Sequence, residues 1–233
     1  MERFGVATVA DATHDHRPEI DGLRALAIVP VVLFHTGMPG FTGGFVGVDI
    51  FFVISGFLIT RQLLREHAEG AFSLFAFWTR RARRIIPAIA VVVAFTLVAG
   101  WFLYLPGNYR DLGRSAAAQS IFISNIYFYF KAGYFTAPAE TKPLLHTWSL
   151  SLEEQFYLLI PLLVWLFVRW RHPVRMRIIV GLLLASFFYS IYSTFTHPEA
   201  AFYLLGSRGW ELLLGSLVAC WDRIGRLRIE FDG

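Results

Sequence analysis

The chain has 233 residues, of which 56% are hydrophobic, 17% aromatic and only 16% charged. A soluble domain carries about 25% charged residues, so the composition excludes an ordinary water-soluble fold and reads as a polytopic membrane protein. The single cysteine, Cys220, excludes an intramolecular disulfide and a cysteine-only metal site, and the net charge of +4 comes mostly from arginines clustered beside apolar runs, a signature of membrane topology rather than of nucleic-acid binding.

Residues 1–19 contain acids and lack an apolar signal-peptide core, so they are read as a cytoplasmic tail. A transmembrane domain is expected over 20–222, with a basic cytoplasmic end at 223–233. The first span, Asp21 to Thr36, contains Pro30, Arg24 and His35. Eleven residues separate Arg24 from His35. At 100° and 1.5 Å per residue they share one helical face to within about 20° and lie roughly 16 Å apart along the axis. A cation and an imidazole at those depths are costly in lipid and point to a protein-lined polar path with a base near its outer end. The bland alternative is that Arg24 snorkels to the inner surface while His35 caps a helix or bonds a carbonyl.

A Gly-rich turn leads to a second span, Phe45 to Leu64, closed by Arg61 and Arg65. Asp49 either caps this span or binds His35 across the hairpin, where it would orient the imidazole. Ser55-Gly56 reads as a site of close helix approach, since no GxSxG elbow surrounds it. A polar loop then carries Arg80, Arg81, Arg83 and Arg84, followed by a third span, Ile85 to Leu105, with Pro87 in its first turn. Arg81 and Arg84 are three apart, helix neighbours that suit a bidentate phosphate grip; the alternative is a lipid-touching anchor.

Residues 107–145 are ambiguous: 115–130 is apolar yet contains Gln119, Ser120, Ser124 and Asn125. With the basic groups 61–84, 169–177 and 223–228 placed in the cytoplasm, this region crosses twice or not at all, and we expect no crossing. The fourth span, Thr147 to Val168, is preceded by His146 and contains Glu153 and Tyr157 at intervals of seven and four, which share a face. Glu153 would hold an imidazole, bind substrate hydroxyls or sit in an interhelical network. Trp148 and Gln155 lie on another side, where they would pack or line a pocket. Spans at Ile178 to Ser193 and Phe202 to Trp221 complete an all-α transmembrane bundle of six clear spans and one ambiguous segment. Within the last, Arg208 and Glu211 are three apart and read as an ion pair. There is no GxxxxGK(S/T), GxGxxG after a strand, HExxH or CxxC, so ATP hydrolysis, dinucleotide redox and zinc proteolysis lack support, and no metal or nucleic-acid partner is expected.

Taken together, RPEIDGLRALAIVPVVLFH, GFVGVDIFFVISGFLI, RRARRIIPA, LLHTWSLSLEEQFYLLIPLL and GSRGWELLLGSLVA resemble the membrane acyltransferase-3 family of bacterial glycan O-acyltransferases. The resemblance implies a multi-pass protein of the bacterial inner membrane with its N-terminus in the cytoplasm. It also implies an acyl-CoA donor, acetyl-CoA above all, a glycan acceptor on the outer side, and acyl-CoA contacts from Arg24, Arg81 and Arg84. His35 and Glu153 become the expected catalytic pair, His35 as general base or covalent acyl carrier; Asp49, His146, Trp148, Tyr157, Arg208 and Glu211 become substrate or orienting residues. The form HTWSLSLEEQFY looks most like the subgroup that modifies O-antigen and related polysaccharides, whose members often carry an SGNH-type domain. About ten spans are typical of the family, so the chain reads as truncated. The rival readings are a transporter or flippase of an acylated or anionic lipid-linked substrate, and an inactive membrane fragment.

Overall fold

The computed structural model describes residues 18–132, 142–167 and 172–231; residues 1–17, part of the 169–177 basic group and the arginine side chains of 223–228 lie outside the described set. Among the described residues the chain is all-α: α1 (Pro18–His35), α2 (Gly47–Ala68), α3 (Leu74–Leu103), α4 (Pro106–Ser120), α5 (Ser124–Lys131), α6 (Thr147–Phe167), α7 (His172–Thr196), α8 (Pro198–Tyr203) and α9 (Leu205–Phe231).

Among the described residues four helical stretches are long and apolar enough to cross a membrane, Gly44–Ala68, Leu74–Leu103, Thr147–Leu166 and Pro173–Thr196. Two of the six expected spans fall outside this group. Helix α1 has Glu19, Asp21 and Arg24 within its 18 residues, and the expected last span is broken at Leu204, between α8 and α9. Helix α9 runs on into the basic end, to Phe231.

Helix α2 is the axis of the bundle, packing on α1, α6 and α9. Glycines permit this. A Cβ on Gly47 would lie 2.0 Å from the Ala27 carbonyl oxygen, and one on Gly56 would lie 1.9 Å from that of Leu212. Gly215 is equally tight against Val53, and Thr60 donates to Ser216 at 2.8 Å across the same seam. Small residues at a crossing let backbones meet, and hydroxyls then bond between helices. The surrounding core is Phe52, Ile59, Leu63, Leu152, Phe156, Ile160 and Leu212. In contrast, α3 and α7 expose most of their apolar side chains, Phe95, Trp101, Phe102, Phe188 and Phe195 among them, as helices facing hydrocarbon do.

Helix α3 starts at Leu74, capped by Ser73, whose side chain accepts from the Ala76 amide at 3.3 Å. The four arginines expected in a loop are therefore on its early turns, and Pro87 lies in its interior. Helices α4 and α5 have 15 and 8 residues, about 22 and 12 Å, each too short for a core of about 30 Å. They fold back on each other through Phe122, whose φ is 55°, and dock on α6. Three of the polar residues that made this region ambiguous are bonded there. Ser151 donates to Gln119 at 3.0 Å, Ser124 and Ser151 share a bond of 2.8 Å, and Gln155 donates to Asn125 at 2.7 Å.

Candidate functional site

His35 closes α1. Its Nδ1 lies 2.7 Å from the Val31 carbonyl oxygen. A carbonyl only accepts, so Nδ1 carries the proton and donates; in the neutral ring Nε2 is then a bare lone pair. The His146 ring stands edge-on to it, centroids 4.5 Å apart and planes at 87°. Burial, with a smaller contribution from His35, holds the His146 imidazole below its ordinary pKa. His35 itself is exposed.

One layer further in, Asp49 does not meet His35. It binds Arg208 on α9, which also donates to Glu211 at 3.1 Å. The reason is the α2–α9 crossing, which brings the first turns of the two helices together; α1 runs along another side of α2. Arg208 lies over the faces of Phe52 and Trp148, at 5.5 and 5.8 Å. Trp148 is a core residue, wedged against Phe52, Phe202 and Tyr203. The Arg208–Glu211 pair read from spacing is present, but within a three-member cluster. Glu211 is 1% exposed, and its second oxygen has no partner among the described residues.

Deeper still, Glu153 and Tyr157 face Ser55 and the arginine end. Ser55 lies near both, outside hydrogen-bond geometry, and Glu153 is within electrostatic reach of Arg81 and Arg24. The carboxylate therefore stands seven residues below His146, about 10 Å of helix rise, at the arginine end rather than the imidazole end. Arg81 is held in place. Its Nε donates to Glu154 at 3.3 Å, its guanidinium covers the Tyr157 ring at 3.7 Å, and Trp78 donates to the Tyr157 carbonyl at 3.3 Å. Arg84, one turn on, is exposed and forms no ion pair among the described residues.

These residues open onto a cavity of about 340 Å³, whose walls include Arg24, Ser55, Arg61, Arg65, Arg81, Arg84 and Tyr157. Five arginines against Asp21 and Glu66 give it a positive balance that suits an anion, and guanidinium forks suit phosphate. Arg24 lies over Phe51 at 5.5 Å, and its buried Nε is without a partner among the described residues. The cavity walls do not include His35, His146 or Trp148.

The register of the ends follows from simple geometry. Helices α1 and α6 run in opposite directions, and His35 meets His146. Arg24 and Tyr157 each lie eleven residues from those rings, about 16 Å, so they come level and share the cavity. Of the residues singled out in the sequence, Arg24, Arg81, Arg84, Glu153 and Tyr157 gather at one end, His35 and His146 at the other, and Asp49, Trp148, Arg208 and Glu211 between. Sequence reasoning missed Ser55 as a site residue. Gly56 makes the close approach attributed to the pair; Ser55, one step of about 100° around α2, faces α6 instead.

The acyltransferase-domain family model matches residues 17–232. The chain is 38% identical over 208 residues to the peptidoglycan O-acetyltransferase OatA of Listeria monocytogenes, an alignment covering 87% of this chain and 33% of that protein. It is 36% identical over 211 residues to the O-acetyltransferase OatA of Staphylococcus aureus, covering 87% of this chain and 34% of that one. The chain thus spans about a third of the length of these two relatives. No solved structure matches it.

Proposed function

Because the chain belongs to the membrane acyltransferase-3 family, we propose that it carries the donor-binding and proton-transfer parts of a membrane O-acyltransferase, moving an acetyl group from acetyl-CoA to a hydroxyl of a cell-envelope glycan. Arg24, Arg61, Arg65 and Arg84 would hold the phosphates, with Arg81 braced on α6 as the wall beside them. His35 Nε2 takes the acceptor hydroxyl's proton as that oxygen attacks the thioester carbonyl. The C–S bond breaks as the tetrahedral intermediate collapses, and the departing sulfur receives the proton back from His35. A histidine that first accepts the acyl group itself is the covalent variant of the same step. The Listeria relative's name points to peptidoglycan as acceptor, and the HTWSLSLEEQFY form points to O-antigen or a related polysaccharide.

The orientation follows the basic groups: the arginine end in the cytoplasm of a bacterial inner membrane, where acyl-CoA is made, and the imidazole end outside. The observation that carries the reading is the imidazole locked by Val31 so that Nε2 is bare, about 16 Å of helix rise from an arginine-lined cavity. Native membranes containing the protein are supplied with radiolabelled acetyl-CoA, and the glycan is extracted. His35→Ala and His35→Gln should lower transfer by about 10²- to 10⁴-fold while leaving the protein in the membrane. Undiminished transfer by His35→Ala removes the base. Uptake of a labelled lipid that survives His35→Ala and fails in Arg24→Ala would instead identify a transporter.

A further inference from the structure

Three buried polar atoms without hydrogen-bond partners among the described residues lie at the inner part of the arginine cavity, Ser55 Oγ and Arg24 Nε on its wall and Glu153 Oε1 just behind it. Ser55 is 2% exposed and Glu153 5%. They come from three helices, α2, α6 and α1. Ser55 and Arg24 are wall residues, and Glu153 stands behind Ser55 and Tyr157. A buried polar atom left unbonded is unfavourable, so native proteins rarely keep one without a water or a ligand to complete it. Three at one place mark a binding station.

Its chemistry is specific. A carboxylate oxygen accepts, a serine hydroxyl donates or accepts, and the Tyr157 hydroxyl does either. Side by side, an acceptor and a donor complement the N–H and C=O of a secondary amide. A hydrocarbon arm would leave all of them unpaired, and a phosphate would meet the Glu153 carboxylate. The station also lies inward of Arg61, Arg65 and Arg84, so whatever reaches it follows an anionic group. Its position is rigid, because Gly56 is jammed against the Leu212 backbone and α2 cannot rotate to turn Ser55 away.

We propose that Ser55 and Glu153 form a clamp for an amide of the donor's pantetheine arm, so that the arginines read the phosphates and this pair reads the peptide-like linker. The proposal rests on the acyl-CoA reading above, and it makes Ser55 a binding residue rather than a packing one.

The two halves of coenzyme A test it separately. Binding of labelled coenzyme A to the detergent-purified full chain is competed by pantetheine and by adenosine bisphosphate. Ser55→Ala and Glu153→Ala should each weaken competition by pantetheine about tenfold, the loss of roughly one good hydrogen bond, and leave adenosine bisphosphate within about twofold. Arg84→Ala should do the reverse. Retained adenosine bisphosphate binding also reports that each variant is folded. If pantetheine competes equally well in wild type and both variants, the station holds water and the clamp is refuted while the donor reading stands. Should wild type bind no coenzyme A, the donor reading fails and the clamp with it.

Discussion

Replacing Arg81 by alanine removes a guanidinium that ties α3 to α6, whereas replacing Arg84, one turn away, removes one that forms no ion pair among the described residues. The Arg81 side chain is 20% exposed and its partner Glu154 14%. Its bond to Glu154, at 3.3 Å, is long for a charge-assisted contact, so about 1.5 kcal/mol is apt. The face-on contact with Tyr157 at 3.7 Å adds about 1 kcal/mol in a half-desolvated setting. A Glu154 carboxylate left mostly buried without its cation adds about 1 kcal/mol more. Arg81→Ala should therefore destabilise the α3–α6 packing by about 3.5 kcal/mol. Arg84→Ala should stay within about 0.5 kcal/mol of wild type, as an exposed substitution does. Tryptophan fluorescence during denaturant titration in detergent measures both, since Trp78 lies at this contact. Steady-state transfer then separates the roles further: Arg84→Ala raises KM for acetyl-CoA with kcat nearly kept, and Arg81→Lys, which keeps the charge but not the planar fork, recovers part of the lost stability. Equal stability losses for the two alanine variants would refute the division between a braced wall and a free phosphate contact.

Two further predictions follow from packing and from titration. Gly56→Ala places a methyl 1.9 Å from the Leu212 carbonyl oxygen; neither backbone can yield cheaply, so a loss of about 2 kcal/mol or more is expected. Gly181→Ala, with nothing within 4 Å of its Cβ, should be neutral or slightly stabilising, and an equal drop in thermal midpoint for both would refute the close-crossing account. His146 has a lowered pKa in the folded state, so below about pH 6.5 the unfolded chain binds a proton that the folded chain resists. Stability should be flat above that value and fall as the pH drops through it, and His146→Asn should flatten the fall; an unchanged pH profile of the thermal midpoint in that variant would exclude the assignment.

Much of the site was legible because its spacing is local. Arg24 with His35 and His146 with Tyr157 each fall eleven residues apart, and helical periodicity alone places each pair on one face. The arginine run, the glycine-rich turn and the apolar lengths are equally local, and they mark α2, α3, α6 and α7 as membrane-length helices. What composition could not reveal is which faces meet. Asp49 finds Arg208, 159 residues away, because Gly56 and Gly215 let α2 and α9 cross backbone to backbone. Ser55 becomes part of the cavity for the same reason: the crossing fixes the rotation of α2. The fold-back of α4 and α5 is likewise a tertiary outcome, since Gln119, Ser124 and Asn125 can stay buried only once Ser151 and Gln155 of α6 answer their hydrogen bonds. Periodicity sets what each helix presents; the partner that receives it is chosen by close packing and by buried polar groups that must be paired.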